Sequence, residues 1–124
     1  MKVLNIISSG YRATFEEQDD TIVWLSHALA NAGAELAVLL RGTAVNYILP
    51  AAPPPPLAVG DRQQRSGPDV HGQVAALAGK VKLFVVAEDL RRRGVATAPA
   101  GNYRLVSEAD LPALMMDYRQ VWRW

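Results

Sequence analysis

The chain has 124 residues, half of them apolar and a fifth charged, with 13 Lys and Arg against 12 Asp and Glu. That is the length and composition of one globular domain with a single core, and a formal charge of +1 gives no global pull toward nucleic acid or an anionic membrane. There is no cysteine, which excludes disulfides, thiolate metal sites, iron–sulfur clusters and a cysteine nucleophile. No apolar run approaches the roughly 20 residues of a membrane span, and Met1 to Ile7 is too short and polar-interrupted for a signal peptide. The expected compartment is therefore the cytoplasm, without a membrane partner.

Lys2 to Ile7 reads as a strand closed by the turn Ser8-Ser9-Gly10, and residues 11 to 18 as polar, irregular chain. Asp19 or Asp20 can cap a helix that Gly33 closes. At helical spacing, Ile22, Leu25, Leu29 and Ala32 share one face for packing, while Trp24, His27 and Asn31 lie on or near the opposite one. An outward tryptophan suggests contact with another subunit.

Glu35 to Leu40 is a second buried strand, and Ala44 to Leu49 a brief helix. Pro50 to Pro68 holds six of the eight prolines, so it is expected to be an extended, mobile loop that forms no ladder, within a single domain spanning residues 1–124. Asp69 can cap a helix with Val70, Val74 and Leu77 on one face and Gly79 at its end. The apolar run from Val81 to Val86 then reads as the central strand of a parallel sheet. It runs straight into a helical turn with acids Glu88 and Asp89 first, bases Arg91 to Arg93 last and Gly94 as stop. Tyr103 to Val106 suggests a short strand. Asp110 with Pro112 suggests the start of a last helix, with Leu111, Leu114, Met115 and Tyr118 as its stripe, before the alternating tail Val121-Trp122-Arg123-Trp124. Alternating strands and helices predict a three-layer α/β/α sandwich of about five mostly parallel strands.

Open α/β sheets bind ligands at the carboxyl ends of their strands. A cleft there would be lined by Ser9, Gly10, Asn46, Ala87, Glu88 and Arg93, with Arg93 pairing an anionic group and Glu88 as acid or base. Other chemistry is thinly represented. The glycines after the first strand are too few for a phosphate cradle, and no cofactor is implied. His27 and His71, 44 positions apart, read as solvated rather than as metal ligands. Ser8 and Ser9 lack a nucleophile elbow, and Glu16, Glu17, Asp19 and Asp20 read as helix-capping acids. Three arginines without interleaved aromatics read as a solvated helix terminus, so nucleic acid is not an expected partner.

The opening strand ending in Ser8-Ser9-Gly10, the helix ending in Asn31-Ala32-Gly33 and above all Val81 to Gly94 resemble the DsrE/DsrF-like family, small α/β proteins of sulfur relay that include TusBCD-type subunits. In that family the corresponding strand ends in a cysteine followed by Leu, basic residues and Gly; Leu90, Arg92, Arg93 and Gly94 match the tail, and the cysteine position falls on Val86. Persulfide transfer requires a thiolate, so the resemblance implies the fold without the sulfur-carrier activity. It implies a structural or regulatory subunit more than an enzyme; the alternative is an anionic-ligand binding protein or cysteine-independent enzyme that uses the cleft at the carboxyl end of the central strand. It also implies assembly as a homo-oligomer, trimer or hexamer, or as a hetero-oligomer with a cysteine-bearing relative, a role that Trp24, Trp122 and Trp124 would suit.

Overall fold

The computed structural model describes residues 2–13, 18–51, 55–64 and 68–124. Five strands form one sheet: β1 (Lys2–Ile7), β2 (Glu35–Leu40), β5 (Lys82–Val86), β6 (Arg104–Val106) and β7 (Gln120–Arg123). Their order is β6-β5-β2-β1-β7 and every pairing is parallel. The central strand is therefore β2, and the expectation that Val81 to Val86 occupies the middle is corrected. Every inner strand of a parallel sheet is buried on both faces and reads as the same apolar run, so residue content cannot rank β1, β2 and β5.

Residues of alternate parity build two apolar layers. Val3, Ile7, Leu36, Val38, Leu40, Leu83 and Val85 face the first, which is covered by α1 (Thr21–Asn31), α2 (Val70–Ala78), a 3-10 segment (Gly42–Ile48) and Leu90 of α3 (Ala87–Arg92). Leu4, Ile6, Ala37, Leu39, Phe84 and Val86 face the second, covered by Leu111, Leu114 and Met115 of α4 (Leu111–Met116) with Tyr118 and Val106. The architecture is the expected α/β/α sandwich.

Asp20 and Asp69 cap α1 and α2 as the sequence suggests: Asp20 Oδ1 accepts from the Ile22 and Val23 amides and Asp69 Oδ1 from Gly72. Asp110 does not cap α4. A 3-10 turn over Glu108–Asp110 precedes that helix, so Asp110 is already helical, and Ser107 supplies the cap through the Ala109 amide at 3.3 Å. The proline-rich segment also departs from expectation. Its run of consecutive prolines ends at Pro56, and the following Leu57–Val59 (β3) pairs antiparallel with Arg62–Gln64 (β4) across a two-residue Gly60-Asp61 connection, with Gly60 at φ +58.

Of the expected stripe, Ile22 and Leu29 pack on the first layer, whereas Leu25 is only half-buried and Ala32 exposed; Val23 and Ser26 are the other buried residues of α1. The cause is a polar residue in the sheet. Asn5 of β1 is completely buried; its Nδ2 donates to Ser26 Oγ at 2.8 Å and its Oδ1 accepts the Trp124 indole N–H. Ser26 Oγ in turn donates to the Ile22 carbonyl at 2.7 Å. A buried amide left unpaired is costly, so α1 is rotated to bring its serine, rather than another leucine, onto β1.

Asn5→Ala is expected to lower the unfolding free energy in a urea titration by about 1–3 kcal/mol. In a double-mutant cycle with Ser26→Ala the two losses should be less than additive. Strict additivity would mean that the Asn5–Ser26 bond contributes nothing.

Candidate functional site

Because β1, β2 and β5 run parallel, their carboxyl ends deliver three chain segments to one place: Ser8 to Tyr11, Arg41 to Asn46, and Ala87 to Asp89. Gly42 joins them. At φ +57 it occupies backbone space that favours glycine, and a Cβ there would stand 2.4 Å from the Ser8 carbonyl oxygen. Its N–H donates to Asp89 Oδ2 at 2.8 Å. Beside it, the Gly10 N–H donates to Thr43 Oγ1 at 2.8 Å, and a Cβ on Gly10 would lie 3.0 Å from the Thr43 carbonyl oxygen.

A chain of hydrogen bonds continues from there into the core. Asn46 Nδ2 donates to the Tyr11 hydroxyl at 2.6 Å, the Tyr11 N–H to the Tyr47 hydroxyl at 2.5 Å, and the Tyr47 hydroxyl to Asp20 Oδ2 at 2.6 Å. The Tyr11 and Tyr47 rings meet edge to face with centroids 6.1 Å apart. Burial, and then the bond to Asp20 and its charge, push the Tyr47 phenol far above its ordinary value, so it remains a donor.

The acids that open α3 are fully engaged. Glu88 accepts the Glu108 N–H at 2.6 Å and pairs with Arg91 at 3.0 Å; the Glu108 amide is the leading cause that holds its carboxyl below the usual range. Burial acts to raise the Asp89 carboxyl, yet the Gly42 amide, then Arg92 and Arg93, bring it below the ordinary value. Arg92 pairs with Asp89 at 2.8 Å and with Glu108, whose own carboxyl it holds low. Arg93 donates to the Asp89 carbonyl at 3.1 Å and closes the end of α3.

Of the six residues expected to line a cleft, Ser9, Gly10, Asn46 and Ala87 thus gather at the carboxyl end, whereas Glu88 and Arg93 engage different partners on the two ends of α3. Sequence reasoning placed Asp89 at this end but missed the residues that tie it together, Gly42, Thr43 and Tyr47. Gly42, two residues beyond the end of β2, was the available signal. Val86, at the end of β5, is completely buried in the second apolar layer with Leu111. Two cavities lie elsewhere. One of about 510 Å³ opens at the amino ends of β5 and β6, and one of about 310 Å³ lies between α1 and α2 beside Trp24, His27 and Gln73.

The histidines are not simply solvated, as expected from sequence. His27 Nε2 donates to the Gln73 carbonyl at 2.8 Å and His71 Nδ1 to the Tyr47 carbonyl at 3.0 Å, each half-buried at a seam between elements. Among the described residues no group of three His, Cys, Asp or Glu is placed to hold a metal ion. Glu16 and Glu17 lie outside the described residues, while Asp19 accepts from Gln73 Nε2 at 2.9 Å. Among the described residues no helix is long and apolar enough to cross a membrane.

Two predictions follow from this geometry. Gly33→Ala meets a positive φ of +85 in open space and should cost about 1–2 kcal/mol of stability from strain alone. Gly42→Ala adds a backbone collision and should cost more; equal losses would mean that the Ser8 segment yields freely. Asp89, with its native carboxyl held below the ordinary value, contributes stability that is present above about pH 4 and is lost as pH falls through the depressed native value. Acid unfolding of Asp89→Asn should accordingly show a shallower dependence on pH below about 4 than the parent chain.

No family model matches the chain, and no curated protein sequence matches it. Among solved structures, the crystal structure of the ychN protein from E. coli superposes with a TM-score of 0.65 over the full length of both chains at 16% sequence identity. At that identity the likeness bears on fold alone, and the fold is the DsrE-like α/β sandwich with a parallel five-stranded sheet.

Proposed function

We propose that this chain is a non-catalytic DsrE-like protein, a structural or regulatory subunit of an oligomer, linked to sulfur relay through a cysteine-bearing relative in the same assembly. The observation that carries the reading is Val86. The strand end where the family resemblance calls for a thiol bears an aliphatic side chain with no exposure, sealed under α4, and the chain has no cysteine elsewhere to substitute for it. A persulfide needs an accessible sulfur nucleophile, so the fold is kept while its chemistry is gone.

Assembly is supported by the distribution of exposed apolar surface. Trp24 on α1 is 57% exposed, although a tryptophan in a monomer normally buries most of its ring. Met116 at the end of α4, and Val121 and Trp124 on and just beyond the edge strand β7, extend the exposed set. Trp122 differs: it packs half-buried against the first apolar layer and belongs to the subunit's own core.

Native mass spectrometry of the chain isolated gently from its host is expected to show a trimer, a hexamer or a complex that retains a cysteine-bearing relative. Trp24→Ser should shift that distribution toward monomer without loss of helical signal. A parent chain that is monomeric at micromolar concentration removes the assembly reading, and turnover of thiosulfate or a persulfide by the pure chain removes the non-catalytic one.

A further inference from the structure

The larger cavity lies at the opposite end of the sheet from the expected cleft, and its charge is one-sided. It is bounded by the turn Ala78 to Val81, the first residues of β5 and the segment Asn102 to Arg104, and no acidic residue lines it. β5 begins at Lys82, but its pairing with β6 begins only at Phe84, opposite Arg104. The edge beside Lys82 and Leu83 therefore lacks a neighbouring strand, which opens the notch. Phe84 and Arg104 share one face of the sheet by register, and Lys82 shares it by alternation. The two cations thus project from adjacent strands on the same side of the opening.

Neither cation is neutralised within the described part of the chain. Arg91 and Arg92 are paired with carboxylates, whereas Lys82 and Arg104 are exposed and take part in none of the ion pairs among the described residues. Glu35, the acid on the neighbouring strand, stands opposite Lys2 in the β1–β2 register. Lys80 contributes its stem to the wall, while its ammonium is held by Asn31 Oδ1 at 2.9 Å.

One feature of such a place opposes an anion: the carbonyl end of α2 borders the cavity, and helix carboxyl termini repel negative charge. Those carbonyls are already occupied. Ala76 O accepts from the Gly79 N–H, Leu77 O from the Lys80 and Val81 N–H groups, and Ala78 O from Asn102 Nδ2 at 2.8 Å. With the carbonyls capped and two free cations alongside, the local balance favours an anion.

We infer that the notch between β5 and β6 binds a small phosphorylated molecule, its phosphate held between Lys82 and Arg104. Arg104 offers the forked donor geometry that suits a phosphate, and Lys82 a mobile point charge. A volume of about 510 Å³ suits a compact metabolite rather than a long polymer. Neither Trp24 nor Val86, at β5's other end, lines the site.

The test is a titration of the full chain with inorganic pyrophosphate at low salt, followed by amide NMR shifts. Saturable shifts confined to Gly79 to Phe84 and Asn102 to Arg104 are expected. Lys82→Gln combined with Arg104→Gln should weaken binding by about tenfold or more, the equivalent of about 1.4 kcal/mol, while Arg62→Gln on the hairpin leaves it unchanged. The charge-conserving pair Lys82→Arg and Arg104→Lys should retain most of the affinity, which separates loss of the site from loss of the fold. Shifts that do not saturate, shifts centred elsewhere, or an equal loss in Arg62→Gln overturn the inference. So does an oligonucleotide that binds ever more tightly with length, because that is a polyanion surface and not a phosphate site.

Discussion

Gly42 is the constraint on which the carboxyl end of the molecule depends. Three strands arrive there side by side, and their continuations must cross at distances that only a residue without a side chain permits: the Ser8 carbonyl occupies the space of its missing Cβ. With the backbone that close, the Gly42 N–H reaches Asp89 at the start of α3, and a single amide links the exits of β2 and β5. The consequence is an end tied together by its own backbone. Glycines at strand ends of α/β proteins often bring the backbone close to a ligand; here the backbone approaches another part of the same chain, and the carboxylate that accepts the amide is the protein's own.

Local signals in the sequence were strong where a residue's chemistry was satisfied by its neighbours. The limits of β1 and β2, the caps Asp20 and Asp69, and the turn into α3 follow from apolar runs and short polar punctuation, and all appear as expected. What escaped depended on contacts far along the chain. Strand order was hidden because β1, β2 and β5 are equally apolar, and the rotation of α1 because it answers to Asn5, 21 positions before Ser26. The hairpin of β3 and β4 was masked by the prolines before it, which forbid a ladder only where they stand. At the candidate site, Ser9, Gly10, Asn46 and Ala87 were legible as strand-end residues, whereas the backbone amides that reach Glu88 and Asp89, those of Glu108 and Gly42, lie beyond any local pattern.

The burial of Val86 has a physical logic of its own. In a parallel sheet covered on both faces, a residue at the last position of an inner strand belongs to a layer, and its exposure is set by what lies over that layer. Here Leu111 and its helix lie over it. A nucleophile at this position would have to be uncovered, at the expense of apolar contact with α4; an aliphatic residue imposes no such demand. The fold can therefore persist without a reactive group at this strand end, because stability resides in the layers and chemistry in a single side chain at their margin.

Charge is distributed along the same axis. The peptide dipoles of α3 favour acids at its start and bases at its end, and Glu88, Asp89, Arg91 and Arg92 obey this; because α3 is so short, the two sets lie within reach and neutralise each other. At the opposite end of the sheet the bases Lys82 and Arg104 sit on strands, where successive residues of one face are held in register and cannot fold back on acids one turn away. Short helices cancel their charge locally, whereas strands display it. A chain with almost no net charge can for this reason still display unpaired cations side by side, as Lys82 and Arg104 stand where a short β6 leaves the sheet edge open.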